Sequence, residues 1–91
     1  MGERLRLRGS GLEWRRVEDD VVALDLPTET YLGLNQSAAA LWEVLADGAS
    51  QDELIQLLID RYAIDRLDAE RDVGEFISAL QARGMLESIP E

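Results

Sequence analysis

Tyr31-Leu-Gly-Leu-Asn-Gln-Ser-Ala-Ala-Ala-Leu-Trp42 changes character at a single residue. Tyr31, Leu32 and Leu34 suit a pleated, half-buried surface, so the stretch opens as a strand. Asn35 then offers a side-chain oxygen to the free N–H groups of a first helical turn. The run from Ala38 to Leu45 is rich in good helix formers. Upstream of this junction the chain reads as strand, and downstream it reads as helix. The stretch therefore joins a small sheet to the helices that cover it.

Working back from the junction, Thr30–Leu34 is a strand with Leu32 and Leu34 on one face and Tyr31 and Gly33 on the other. Thr28 and Glu29 complete a turn behind it. Pro27 cannot donate to a ladder and ends the preceding strand, Val21–Leu26, whose apolar face is read as Val22, Leu24 and Leu26. Glu18-Asp19-Asp20 is a turn, because Asp accepts local backbone hydrogen bonds. Leu12–Val17 alternates and makes the first strand of a three-stranded antiparallel meander. Leu5 and Leu7 alternate with Arg4, Arg6 and Arg8 as an edge strand would, but Gly9-Ser10-Gly11 is a linker composition. Residues 1–11 are therefore expected to be a mobile basic N-terminal arm, and residues 12–88 the folded domain.

Working forward, Ala38, Leu41, Trp42 and Leu45 form one stripe of a helix from about Gln36 to Ala46, stopped by Gly48. Ser50-Gln-Asp-Glu53 is a capping box for a second helix carrying Leu54, Leu57, Leu58 and Tyr62. After a connector from Ala63 to Leu67, Asp68 caps a third helix that runs to about Arg83, with Val73, Phe76, Ile77 and Leu80 as its stripe. Gly84 ends it, and Met85 and Leu86 fold back on the core. The expected class is α+β: three antiparallel strands followed by three helices, in a winged-helix-like order, with one sheet face covered by the helices.

Composition restricts function. Ninety-one residues support one modest core. With no Cys and no His, disulfides, thiolate chemistry, the commonest metal ligand and the usual neutral-pH base are all missing. Asp19-Asp20 and Asp52-Glu53 sit where turn chemistry and the helix dipole account for them. Asp68, Asp72 and Glu75 lie within reach of one another on the third helix, but their spacing is unspecific for a divalent ion. Neither a cofactor nor a catalytic role is expected, and function is to be sought in binding. No apolar run approaches a membrane span, and Arg4, Arg6 and Arg8 are not followed by the apolar core of a secretory signal, so a cytoplasmic protein is expected.

Charge is unevenly placed. Residues 1–16 carry +3 and residues 17–91 carry −13, within a net −10. A winged-helix order raises the question of DNA, but the second helix shows Gln51, Asp52, Glu53, Gln56 and Asp60 outward. The third sets Glu70, Asp72 and Glu75 against Arg71 and Arg83. Neither surface approaches a phosphate backbone favourably.

The pieces fall in a recognisable order: Asp25-Leu-Pro-Thr-Glu-Thr-Tyr-Leu-Gly-Leu-Asn35, Ser37-Ala-Ala-Ala-Leu-Trp42, Asp47-Gly48, Leu54 to Tyr62, then Asp72-Val73 with Phe76, Leu80 and Gly84-Met-Leu86. From about Val17 to Leu86 this resembles the PqqD-like family of peptide chaperones, or precursor-peptide recognition elements. The resemblance implies a non-catalytic domain that binds the leader segment of a ribosomally made precursor peptide and presents it to a modifying enzyme: a radical-SAM enzyme, a peptidase or a cyclase. It implies that the leader adds as a strand to the third strand and packs on the third helix. Carried over residue by residue, the groove is Glu29, Thr30, Tyr31, Leu32 and Gly33 on the strand. On the helix it is Asp72, Phe76, Ala79 and Arg83, which steps of 100° place along one flank beside Val73. Phe76 and Ala79 would form an apolar floor, Asp72 would take a cationic leader residue and Arg83 an acidic one. Gly33 would let a peptide backbone approach closely. The alternatives are a winged-helix protein-interaction module in transcriptional regulation, or an accessory subunit of an enzyme. Neither nucleic acid nor membrane is expected as a partner.

The charge of residues 17–91 yields a direct expectation: no measurable binding to duplex DNA at physiological salt in a fluorescence titration. Micromolar or tighter, salt-sensitive binding would put the regulator first.

Overall fold

A computed structural model describes residues 3–89. In chain order the elements are β1 (Arg4–Leu7), β2 (Leu12–Val17), β3 (Asp20–Asp25), β4 (Thr30–Leu34), α1 (Gln36–Asp47), β5 (Ala49–Ser50), α2 (Gln51–Tyr62), α3 (Arg66–Ala82) and β6 (Leu86–Ile89). They make two small antiparallel sheets, β2-β3-β4 and β5-β1-β6, with three helices. The fold is α+β. It contains the expected three-stranded sheet and three helices, and adds β1, β5 and β6.

The meander is set by its turns. Glu18 and Asp19 alone connect β2 to β3, Glu18 in the left-handed region at φ 58°, and Val17 pairs with Asp20 across the loop. A two-residue hairpin closes on a hydrogen-bonded pair. Every second pair down the ladder is then hydrogen-bonded, as far as Leu26, whose N–H donates to the Gly11 carbonyl at 2.8 Å. Residues opposite one another share a face. On the inner face Arg16, Trp14 and Leu12 stand opposite Val21, Ala23 and Asp25, and these opposite Leu34, Leu32 and Thr30. Val21, Ala23 and Asp25 are buried, while Val22 and Leu26 are exposed. The apolar face expected for β3 is therefore reversed: Val22 and Leu24 point away from the helices. The faces of β4 are as expected, and its register with β3 decides the matter, since Leu34 and Leu32 can be buried only with Val21 and Ala23 beside them.

The helices close on local signals. The Asn35 side chain accepts from the Ala38 N–H at 3.2 Å and starts α1. Gly48 stops it at φ 104°, donating to the Val44 carbonyl at 3.1 Å. The backbone there favours glycine, and an added Cβ would also crowd the Ile89 side chain of β6 at 3.2 Å. Ser50 caps α2 by accepting from the Glu53 N–H at 3.2 Å, whereas the Glu53 carboxylate pairs with Arg4 at 2.6 Å. Ala63, left-handed at φ 53°, ends α2, and α3 begins at Arg66, two residues before the expected Asp68 cap. Asp68 lies in the first turn instead, where its charge suits the dipole. Trp42, Leu45, Leu54, Leu58, Val73, Leu80 and Met85 form the fully buried centre, and Trp14 stands edge-on to Trp42 with ring centroids 6.2 Å apart.

The arm expected over residues 1–11 differs most. From Arg4 to Leu7 it is a strand between β5 and β6, with Leu5 and Leu7 in the core. Its pairing with β6 joins residues about eighty positions apart, Arg4 to Ile89 and Leu7 to Leu86. Arg8 follows and donates in four directions: Nε to Ser10 O at 2.7 Å, Nη1 to Gly84 O at 3.0 Å, and Nη2 to Gly11 O at 3.1 Å and to the Asp25 carboxylate at 2.6 Å. Asp25 is only 3% exposed, and its second oxygen accepts from the Thr28 hydroxyl at 2.8 Å. The Arg8 bond, then the Thr28 bond, hold the Asp25 carboxyl below its ordinary value of 3.8 against the opposing effect of burial, with the charges of Arg8 and Arg83 adding to them.

Two outcomes test this packing. A carboxyl with a depressed folded-state pKa stabilises the fold above its unfolded value and loses that contribution as pH falls through the folded one. The gap in urea midpoint between wild type and Asp25→Asn should therefore be present at pH 7 and shrink below the ordinary carboxyl value of 3.8. A gap constant down to pH 2 would contradict the buried pair. Phe76 is half-buried against the core. Full burial would make Phe76→Ala cost about 3–5 kcal/mol, so half-burial predicts roughly 2 kcal/mol with the far-UV spectrum intact.

Candidate groove between the fourth strand and the third helix

In the meander, Val21, Ala23 and Asp25 direct their backbone groups to β4, because those of Val22 and Leu24 are engaged by β2. Leu34, Leu32 and Thr30 answer them. The N–H and C=O groups of Tyr31 and Gly33 consequently point to the open edge of β4, the last strand of its sheet. β4 carries no charge from Thr30 to Leu34. At the opposite edge β2 holds Glu13, Arg15 and Arg16, charges of the kind that discourage strand addition. Arg16 is also tied to Glu43 of α1 at 2.5 Å.

The two sides of the groove are held by one set of bonds. Arg8 grips the Gly84 carbonyl, just past α3, and through Asp25 the turn that leads into β4. Arg83, the C-cap of α3, lies close enough for its charge to act on Asp25, the residue opposite Thr30. The C-terminal end of α3 thus sits at the Thr30 end of β4. From Arg83 back to Asp72 is about 16 Å along a helix, and five residues of strand span about 13 Å, so strip and strand are of matching length.

Each expected groove residue can now be placed. Thr30, Tyr31, Leu32 and Gly33 are on β4; Tyr31 is 71% exposed, and Leu32 is half-buried on the inner face. Glu29 is not on the strand. It is left-handed at φ 54° in the turn, and its N–H donates to the Leu26 carbonyl at 3.2 Å. On α3, Val73 is fully buried while Asp72, Ala79 and Arg83 are exposed and Phe76 is half-buried. Leu32 and Phe76 pack on the same core and both stay partly open. α3 itself packs chiefly on α2 and β6. Asp72 lies 3.7 Å from the Arg71 guanidinium, and Asp68 3.2 Å from it, so both acidic groups have a neighbouring cation. Gly33 projects its missing side chain to the outer face of the sheet, where an added Cβ would meet nothing within 4 Å. Its smallness therefore opens space on that face and is not what exposes the strand edge.

Sequence reasoning missed Arg8 and Asp25 as the pair that ties the end of α3 to the turn before β4. The only signal was an acidic residue immediately before Leu26-Pro27, and nothing local connects it to an arginine seventeen positions earlier. Among the described residues, no group of three or more acidic side chains is arranged to hold a metal ion, and no helix is long and apolar enough to cross a membrane.

The chain as a whole resembles solved structures. TbiB1 in complex with the TbiA(beta) leader peptide is 29% identical, with a TM-score of 0.83 over 94% of this chain and 99% of that one. Lasso peptide synthetase B1 complexed with the leader peptide is 32% identical, with a TM-score of 0.77 over 94% of this chain and 98% of that one. No curated protein matches the chain. The family model described as Coenzyme PQQ synthesis protein D (PqqD) matches residues 20–86, from the start of β3 to the start of β6. That match spans more than half of the chain, and the chain belongs to the PqqD family.

Proposed function

We propose that this protein binds the leader segment of a ribosomally made precursor peptide and presents it to the enzyme that modifies the remainder. The observation that carries this reading is the open, uncharged edge of β4 at Tyr31 and Gly33, in a chain whose structural neighbours are named as leader-peptide complexes. The peptide adds to that edge by β-augmentation, in which main-chain hydrogen bonds supply affinity and side-chain pockets supply selectivity. Peptide residues facing inward lie between Leu32 and the α3 strip of Phe76 and Ala79, with Asp72 and Arg83 at its two ends. The role is recognition. With no Cys or His in the chain, the chemistry is left to the partner enzyme, a radical-SAM enzyme, a peptidase or a cyclase.

Hydrogen exchange of the complex with the cognate leader tests the pairing. Protection should rise at the Tyr31 and Gly33 amides and stay unchanged at Leu32, which is already bonded to β3. Protection gained instead along Gln51–Asp60 of α2 would overturn the site. Ala79→Glu adds bulk and charge to the exposed strip, and should weaken leader binding at least tenfold, about 1.4 kcal/mol, with the melting temperature unchanged.

A further inference from the structure

The outer face of the meander is open and largely apolar. Val22 is 40% exposed and Tyr31 71% exposed, and Leu24 is half-buried between them. With Glu13 and Arg15 they line a shallow depression of about 240 Å³. Val22 stands opposite Gly33 and Leu24 opposite Tyr31, so the empty place at Gly33 adjoins this depression at the very edge of the sheet. Gly33 has an ordinary strand backbone with no positive φ, so nothing in its conformation demands glycine. Glycine in a strand interior weakens it, and here leaves a gap between Tyr31 and Val22.

We infer that this gap is a second, outward-facing subsite for the bound peptide, and that it takes an aromatic or β-branched side chain. The inference rests on the strand-addition reading above and extends it to the opposite face of the sheet. Side chains of an added strand alternate between faces. Tyr31 and Gly33 supply both the free backbone groups and the outward positions, so a peptide paired with them sends every second side chain over Gly33 and Tyr31. The residue directly across from Gly33 has Val22 beyond the gap and Tyr31 along the strand. A bulky cross-strand side chain that folds over a glycine covers the exposed backbone and apolar surface on either side of it. Recognition is then two-sided: one parity of the peptide is read by α3, the other by the outer face.

Gly33→Val separates this subsite from the inner groove. A Cβ at this position meets nothing within 4 Å and valine favours the strand, so the melting temperature should hold or rise. The probe is a set of twelve-residue peptides selected on the wild-type protein from a random display library and checked for amide protection at Tyr31 and Gly33. The expected consensus has bulky apolar residues of both parities, and Gly33→Val weakens binding at least fivefold. A consensus confined to one parity, with binding unchanged by Gly33→Val but lost in Ala79→Glu, overturns the outer subsite and leaves the inner groove standing. Failure to select any binder, or binders that leave Tyr31 and Gly33 unprotected, overturns both readings.

Discussion

The contact between Arg8 and Asp25 holds the molecule in its working shape. A carboxylate removed from water is tolerated only when charge and hydrogen bonds replace the lost hydration. Here Arg8 and Thr28 do so on the two oxygens, at 2.6 and 2.8 Å. The remaining guanidinium donors reach the Gly9–Gly11 link and the carbonyl of Gly84. One side chain therefore ties the N-terminal strand, the turn before β4 and the end of α3. The end of α3 and the turn before β4 are thereby fixed relative to each other. Such preorganisation reduces the ordering cost of capturing an extended peptide.

Local signals made most of the elements legible. Asn35 and Ser50 accept the cap bonds expected of them, and Gly48 and Gly84 take the positive φ that ends their helices. The flank of α3 was legible for the same reason. A 3.6-residue period around Val73 places Asp72, Ala79 and Arg83 outside, and that is where they lie. The misread parts depend on partners distant in sequence. β1 forms only by pairing with β5 and β6, so its two leucines looked like those of a tail followed by a linker. β3 turns Val22 and Leu24 to the outer face and buries Val21, Ala23 and Asp25, in keeping with its register with β4 and the Arg8–Asp25 bond.

The reversed β3 also bears on function. Val22 and Leu24 lie on the outer sheet face and make it apolar beside Tyr31. Their position beside Gly33 and Tyr31 leaves an apolar surface next to the uncharged edge of the meander. Glu13, Arg15 and Arg16 mark the other edge, and Arg16 is held to Glu43 of α1. The charge pattern of the two edges thus favours one side of the sheet for peptide addition.

The most direct test of that selection is measurement of through-hydrogen-bond NMR couplings in a complex with isotope-labelled peptide. The ladder parity predicts couplings between the Tyr31 and Gly33 amide nitrogens and peptide carbonyls. On β2 the same parity leaves Trp14 and Arg16 facing outward. Couplings from their amides, with none from Tyr31 or Gly33, would show that the peptide adds to the opposite edge and would contradict the account.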